Sequence, residues 1–469
     1  MKNKLYLLPL LFLALLSSCY KDLGNYEYNY PADPVVTGLK DTVYVSFIGD
    51  TLRITPQVKH TTASENLSFQ WKIMFPYEPW EMFFEGAELK MPFTLQPGKY
   101  RGLFIITDKA KGMKYYHDFE FQGVTRFTTG TVVLSEEEGT AQLSFIDANN
   151  ILLPKQYEVI NQETLPGKPL QLLAVNEAWQ PNNLKRYWIL CEGEQPGVLV
   201  DASTLIRYRS VKENFFDPPA AIQPGYLNRT LSGVATGVIN GRLYSGTTNT
   251  APFSPYYGMF GNDAPGDYEL SPKYIFTEFQ YYVGFDLKKK RFVQFSSSGS
   301  YQDTSYIAIK TGPGFNPKNP MIDLIHMQYI NGDASYAFAK DVTGKIVELK
   351  FFNAPNLFFA SYSRPFAGAN LLRENTKWAG STIQEVIYFS SGDQIYRYNP
   401  SNEQLRTLDT KFDGKDVSML KVSVTGDTLI TGAEGSLYFL DVSTGKNGRV
   451  INRVDGIPGK PVDVAIRKQ

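Results

Sequence analysis

Few residues in this chain have the types and spacing that chemistry needs. It carries three histidines (His60, His117, His326) and two cysteines (Cys19, Cys191). The histidines lie far apart, with no His-x-x-x-His or acid-flanked pair, so there is little material for a metal site or a histidine-based triad. No metal and no cofactor is expected. Thr311-Gly312-Pro313-Gly314 lacks the spacing and the lysine of a phosphate loop. Glu136-Glu137-Glu138-Gly139 reads as a solvated hairpin turn, because general acid–base work would need burial and an opposed carboxylate. Asn331-Gly332-Asp333 and Asp413-Gly414-Lys415-Asp416 read as turns, not complete calcium loops. No catalytic residue can be nominated.

Aromatic clusters are the better candidates for binding. Trp71, Phe75, Tyr77, Trp80, Phe83 and Phe84 crowd a segment broken by Pro76 and Pro79. At least half of them, Trp71 first, should be core, which leaves Tyr77 and Trp80 as contact candidates. The second cluster runs from Pro252 to Pro265 and holds Phe253, Tyr256, Tyr257 and Phe260 in a Gly/Pro-broken insertion. Tyrosine offers apolar area with a polar tip, which suits a peptide, a sugar or another protein. The alternative is a lid packed on the domain's own end.

Composition narrows the partners. The chain has 469 residues, with 47 Lys+Arg balanced by 47 Asp+Glu. Zero net charge argues against nucleic acid, which demands a basic excess. Hydrophobic residues at 43% and charged residues at 20% allow a sizeable core. Aromatics at 14% favour β-strands and contact surfaces.

The N-terminus points to a compartment. Lys2 and Lys4 precede an apolar run from Leu5 to Leu16, shorter than the roughly 20 residues of a spanning helix. Residues 1–18 therefore read as a signal peptide. Leu16-Ser17-Ser18-Cys19 resembles the bacterial lipobox, which implies cleavage before Cys19 and its acylation. The other reading is an ordinary signal peptide with a chance cysteine. Residues 19–34 form a polar, aromatic tether. Lys21-Asp22 resembles an export signal of Bacteroidetes-type lipoproteins, which implies the outer membrane and its extracellular face. With Cys19 lipidated, Cys191 has no partner and becomes a small buried hydrophobe.

Residues 35–124 look like one β-sandwich. Leu67, Phe69, Trp71 and Ile73 share one face of a strand, and short strands recur between turn signals. Gly49-Asp50-Thr51-Leu52, Phe69-Gln70-Trp71 and Gly98-Lys99-Tyr100 leading to Ile106-Thr107-Asp108 resemble the PKD family of immunoglobulin-like domains. Together with the lipobox, the segment looks like the PKD-like lipoproteins of Bacteroidetes. That resemblance implies association with SusC/SusD-type outer-membrane importers.

From 127 to 469 the rhythm changes to strand, Gly-containing turn, aromatic strand and an Asp/Asn-x-x-Thr/Ser-Gly-like turn. Five stretches show it, around Tyr187–Asp201, Tyr281–Phe295, Ser335–Leu349, Val386–Asn399 and Leu429–Asp441. Repeats of about 40–50 residues with four strands each indicate a β-propeller. The length admits eight blades, and long insertions reduce this to six or seven. Separate β-sandwiches are the runner-up.

The expected protein is all-β: a PKD-like sandwich followed by a propeller. It is expected to be a lipid-anchored outer-membrane protein that binds a nutrient polymer, peptide or glycan, or docks on a SusC/SusD-type importer. A propeller hydrolase or lyase would need acid and base residues that converge only in three dimensions. A structural subunit of a surface complex is the third reading. A carboxylate pair in one funnel would favour the enzyme, and an aromatic funnel without one would favour binding.

Overall fold

The computed structural model describes residues 32–467 apart from 40, 49, 76–80, 96, 253, 278–280 and 333. It divides into two compact units, Met1–Gly123 and Val124–Gln469.

The first unit is a sandwich. Strands Tyr44–Phe47, Met113–Val124, Gly98–Asp108, Leu67–Met74 and Glu81–Glu85 form one sheet in that order. Thr51–Ile54 pairs with Leu89–Pro92, and Val35–Thr37 pairs with Gln57–Lys59. The alternation in Leu67–Met74 sends Trp71 and Ile73 inward among Leu52, Ile54, Leu89 and Phe104. Trp71 is fully buried, and its indole N–H donates to Gly86 O at 2.9 Å, so no polar atom of the ring is lost on burial. Phe83 faces outward.

The second unit is a propeller of seven blades, each a small sheet that is antiparallel except where Ile307–Lys310 pairs in parallel with Leu357–Pro365 at the outer edge of the fifth. From the axis outward, the second blade holds Pro169–Glu177, Gln180–Cys191, Gly197–Asp201 and Arg207–Ser210. The innermost strands of the next five blades are Pro224–Arg229, Ile275–Phe276, Ile322–Asn331, Trp378–Ser381 and Met419–Val422. The first blade takes its innermost strand from the other end of the chain. Lys460–Arg467 pairs with Gly130–Glu137, which pairs with Thr140–Asp147 and then Leu152–Leu153. This joint closes the ring without an open sheet edge there. Gly459 permits it: its φ is +65°, and a Cβ there would stand 1.9 Å from Glu136 O.

The five repeat stretches fall in five different blades, but the acidic turn does not mark a fixed strand. Asp147, Asp201, Asp286, Asp341, Asn399 and Asp441 each accept the backbone N–H two residues on, at 2.8–3.1 Å. In four blades this turn follows the third strand, and in the blades of Asp286 and Asp341 it follows the second. The turn is chosen by the need to reverse a strand, so it recurs wherever a short hairpin is made. Glu138 and Gly139, with φ of 50° and 78°, make the hairpin expected of the Glu136–Gly139 run.

Blade three has three strands, Pro224–Arg229, Ala235–Ile239 and Arg242–Ser245. The aromatic insertion returns to complete it. Gly246 bridges Phe260, and on its other side Phe260 bridges Phe215. Phe260 is fully buried with Trp188, Phe215 and Tyr244, and so seals the joint between blades two and three.

Candidate functional site

The innermost strands surround an axial cavity of about 450 Å³. Six successive blades line it, contributing Gln171, Tyr226, Lys273, His326, Trp378 and Lys421. A strand in a blade interior is packed on both faces, so its residues are apolar. On the innermost strands some positions meet the cavity instead, and polar or aromatic side chains collect there.

Two arrangements hold the wall. On one side Asp463, from the closing strand, accepts Lys421 Nζ at 2.8 Å and the Leu172 N–H at 2.9 Å. Gln171 extends this tie: its Nε2 donates to Leu227 O at 2.8 Å and its Oε1 accepts the Leu227 N–H at 2.9 Å. Four blades are thereby pinned by one carboxylate and one amide.

The other side is a ladder of four side chains from four consecutive blades. Lys273 Nζ lies 4.7 Å from the centre of the Tyr226 ring and 3.5 Å from His326 Nδ1. The His326 ring stacks on Trp378, with centroids 4.8 Å apart and planes at 6°. His326 Nε2 meets Gln328 Oε1 at 3.1 Å, which fits a neutral imidazole that donates from Nε2 and accepts from Lys273 at Nδ1. Gln328 Nε2 is buried and has no partner among the described residues.

Burial dominates the electrostatics. It pulls the Lys273 ammonium down to about 8, with help from the charge of Lys377. It also holds His326 well below its usual range, and the Lys273 charge adds to this. Burial, then the charges of Asp463 and Glu192, raises the Tyr226 phenol. The wall thus offers one cation without a carboxylate, neutral donors and flat aromatic faces. Asp463, the carboxylate behind Lys421, is occupied by that lysine and by backbone N–H groups. The lining itself holds no Asp or Glu among the described residues. The described residues hold no cluster of three or more His, Cys, Asp or Glu able to grip a metal.

The candidates taken from the sequence lie elsewhere. Cys19, Tyr77, Trp80 and Phe253 lie outside the described residues. Phe260 is core rather than contact surface, because its ring completes the packing between two blades. Tyr257 is half-buried and its hydroxyl donates to Ser232 O at 2.6 Å. Tyr256 is exposed and stacks beside Phe216, with centroids 6.1 Å apart. The insertion is therefore part lid and part surface. Cys191 is buried, and burial pushes its thiol up to about 12, as suits a small hydrophobe.

Sequence reasoning missed the axial residues. In the sequence His326 is an isolated histidine, and Lys273, Trp378, Lys421 and Asp463 belong to no motif. The available signal was polarity at alternate positions, as in His326-Met327-Gln328, within a strand otherwise suited to the core.

The sequence profile of the PKD-like family matches residues 19–169, so the match passes through the sandwich and the outer three strands of the first blade. No curated relative matches the chain by sequence. Among solved structures, a quinonprotein alcohol dehydrogenase-like protein from Bacteroides thetaiotaomicron is similar at TM-score 0.41 and 14% identity, over 93% of this chain and 99% of that one. A functionally unknown protein from Desulfotomaculum acetoxidans is similar at TM-score 0.42 and 12% identity, over 72% of this chain and 98% of that one. The dihydro-heme d1 dehydrogenase NirN is similar at TM-score 0.35 and 11% identity, over 78% of this chain and 72% of that one.

Proposed function

We propose that this chain is a lipid-anchored binding protein of the bacterial outer membrane, exposed on the extracellular face. Its axial cavity takes a segment of a nutrient polymer, peptide or glycan, for delivery to a SusC/SusD-type importer. The observation that carries the binding role is the cavity wall itself. Tyr226, Phe276, Tyr329 and Trp378 supply flat faces, Asn228 and Gln328 supply amides, and the lining has no carboxylate pair for acid–base work. The anchor rests on Leu16-Ser17-Ser18-Cys19.

The test is affinity electrophoresis of the chain beginning at Tyr20 against soluble polysaccharides and casein-derived peptides. Retardation by a member of either panel is expected, and Trp378→Ala should weaken it by about 1–3 kcal/mol. Release of new reducing ends or amino termini would overturn the binding role in favour of a hydrolase. Retardation by neither panel would also overturn it. Cys19→Ala should free the full chain from membranes, and retention at the wild-type level after a high-salt wash would reject the anchor. Protease accessibility on intact cells reads the extracellular face.

A further inference from the structure

A second cavity, of about 190 Å³, opens at the joint between blades two and three. The sequence builds it from three places. The end of the strand Pro169–Glu177 supplies Asn176, the strand Gln180–Cys191 supplies Lys185, Arg186 and Trp188, and the aromatic insertion closes over them with Tyr257. Tyr208 forms one wall.

The charges in this cavity do not balance. Arg186 is half-buried and its guanidinium carbon lies 3.5 Å from the centre of the Tyr208 ring. Among the described residues this guanidinium makes no hydrogen bond and no ion pair, and burial, the largest influence on it, lowers its pKa. The carboxylates that reach it electrostatically are already committed. Glu177 is held by Lys185 Nζ at 2.5 Å, and Asp201 accepts the N–H groups of Ser203 and Thr204 at 2.9 Å each. A second guanidinium, that of Arg209, lies 4.3 Å from the same ring and donates to Pro255 O at 3.3 Å. Burial raises the Tyr208 phenol, but the charges of Arg186 and Arg209 and the hydrogen bond from Arg209 outweigh it, and the net direction is down. Two guanidinium groups on one ring repel each other, and a guanidinium taken out of water seeks an anionic partner with acceptor oxygens.

We infer that this cavity is an oxyanion site, with Arg186 as the binding fork for a carboxylate or sulfate group carried by a ligand. Tyr257 and Trp188 pack the atoms that bear the anion, and Pro252, Ser254, Pro255 and Gly258 of the insertion roof the site. A planar fork meets two oxygens at once, which a lysine cannot do. The site is independent of the axial cavity, since the two share no lining residue.

Isothermal titration of the chain beginning at Tyr20 with glucuronate, with inorganic sulfate and with glucose, at constant ionic strength, tests it. Glucuronate or sulfate should bind and raise the melting temperature, and glucose should do neither. Which of the two binds identifies the oxyanion. Arg186→Met should lose at least tenfold in affinity while its anion-free melting temperature stays at or above that of the parent. Arg186→Lys, which keeps the charge and loses the fork, should bind several-fold more weakly and guards against a folding failure in the first variant. Trp378→Ala should leave the response unchanged, which separates this site from the axial one. No binding of either anion, or equal affinity in the folded Arg186 variants, would overturn the inference.

Discussion

The imidazole of His326 lies flat on the indole of Trp378, 4.8 Å between centroids and 6° from parallel, joining the innermost strands of two neighbouring blades. This contact requires a neutral ring, because Lys273 Nζ faces Nδ1 at 3.5 Å. A proton on Nδ1 would set two cations together in a nearly dry wall.

Stability should therefore depend on pH through His326. Its folded pKa lies well below the usual 6.5, through burial and Lys273, so below about pH 6.5 the unfolded chain binds the proton that the folded chain refuses. Stability is full above that pH and falls as pH drops, by up to about 1.4 kcal/mol per unit for one such group. Lys273, lowered to about 8 from 10.5, acts with the same sign between those two values, so stability there rises with pH. Urea melts from pH 5 to 7 should show the slope, and His326→Phe should flatten it. A wild-type profile with no slope would show that the ring takes its proton in place.

The closing strand sets the second prediction. Lys460–Arg467 supplies the axial strand of blade one, and Arg467 donates to Ala202 O at 2.6 Å and Phe127 O at 3.2 Å. A fragment from Arg126 to the C-terminus should fold alone, since blades bury one another's faces. The same fragment stopped at Gly459 should lose cooperative unfolding, because Val133 and Val132 lose their strand partners Val464 and Ala465. Calorimetry of the two fragments decides it. A sharp transition in the shorter one would mean that the ring does not need its closure.

The contrast between these fragments also explains what the sequence could reveal. Blades two and four to seven announce themselves through contiguous hairpins such as Val386–Ser391 with Gln394–Asn399. Blade one is hidden because its strands come from both ends of the second unit. Blade three is hidden because Phe260 returns after a long insertion to finish it. The axial cavity is less legible still. Gln171, Tyr226, Lys273, His326, Trp378 and Lys421 stand tens of residues apart, and only ring closure brings them together. Motif spacing reports local geometry, and this site has none.

Tyr256 and Phe260 belong to one insertion but should respond oppositely to truncation. Phe260 is fully buried against Trp188, with centroids 5.7 Å apart, so Phe260→Ala should cost about 3–5 kcal/mol and lower the melting temperature sharply. Tyr256 is 55% exposed, and Tyr256→Ala should change stability by less than about 1 kcal/mol. Thermal melts of both variants check the pair. Similar losses would mean that the whole insertion is a packed lid, and a binding role for Tyr256 would then lose its basis.

Glu348 is a fully buried carboxylate at the joint of blades five and six. Its side chain is inaccessible to solvent, yet it accepts Tyr362 Oη at 2.6 Å, Arg364 Nη2 at 3.0 Å and the hydroxyl of Tyr398 from the next blade. Burial raises its pKa, while these donors and the Arg364 charge pull the other way. A buried acid so completely satisfied adds little net stability, because desolvation offsets attraction, but removing one member strands the others. Glu348→Ala should thus cost about 1–3 kcal/mol for each of the two phenols left without an acceptor, while Arg364 keeps Glu403 and Pro400 O. Tyr398→Phe should cost about 1.5–3 kcal/mol, the range for a hydrogen bond to a charged group. The double variant Glu348→Ala/Tyr398→Phe should lose less than the sum, since the tyrosine has nothing left to donate to once the carboxylate is gone. Strict additivity in urea denaturation would show that the two side chains act separately, and the network would then not be what joins blades five and six.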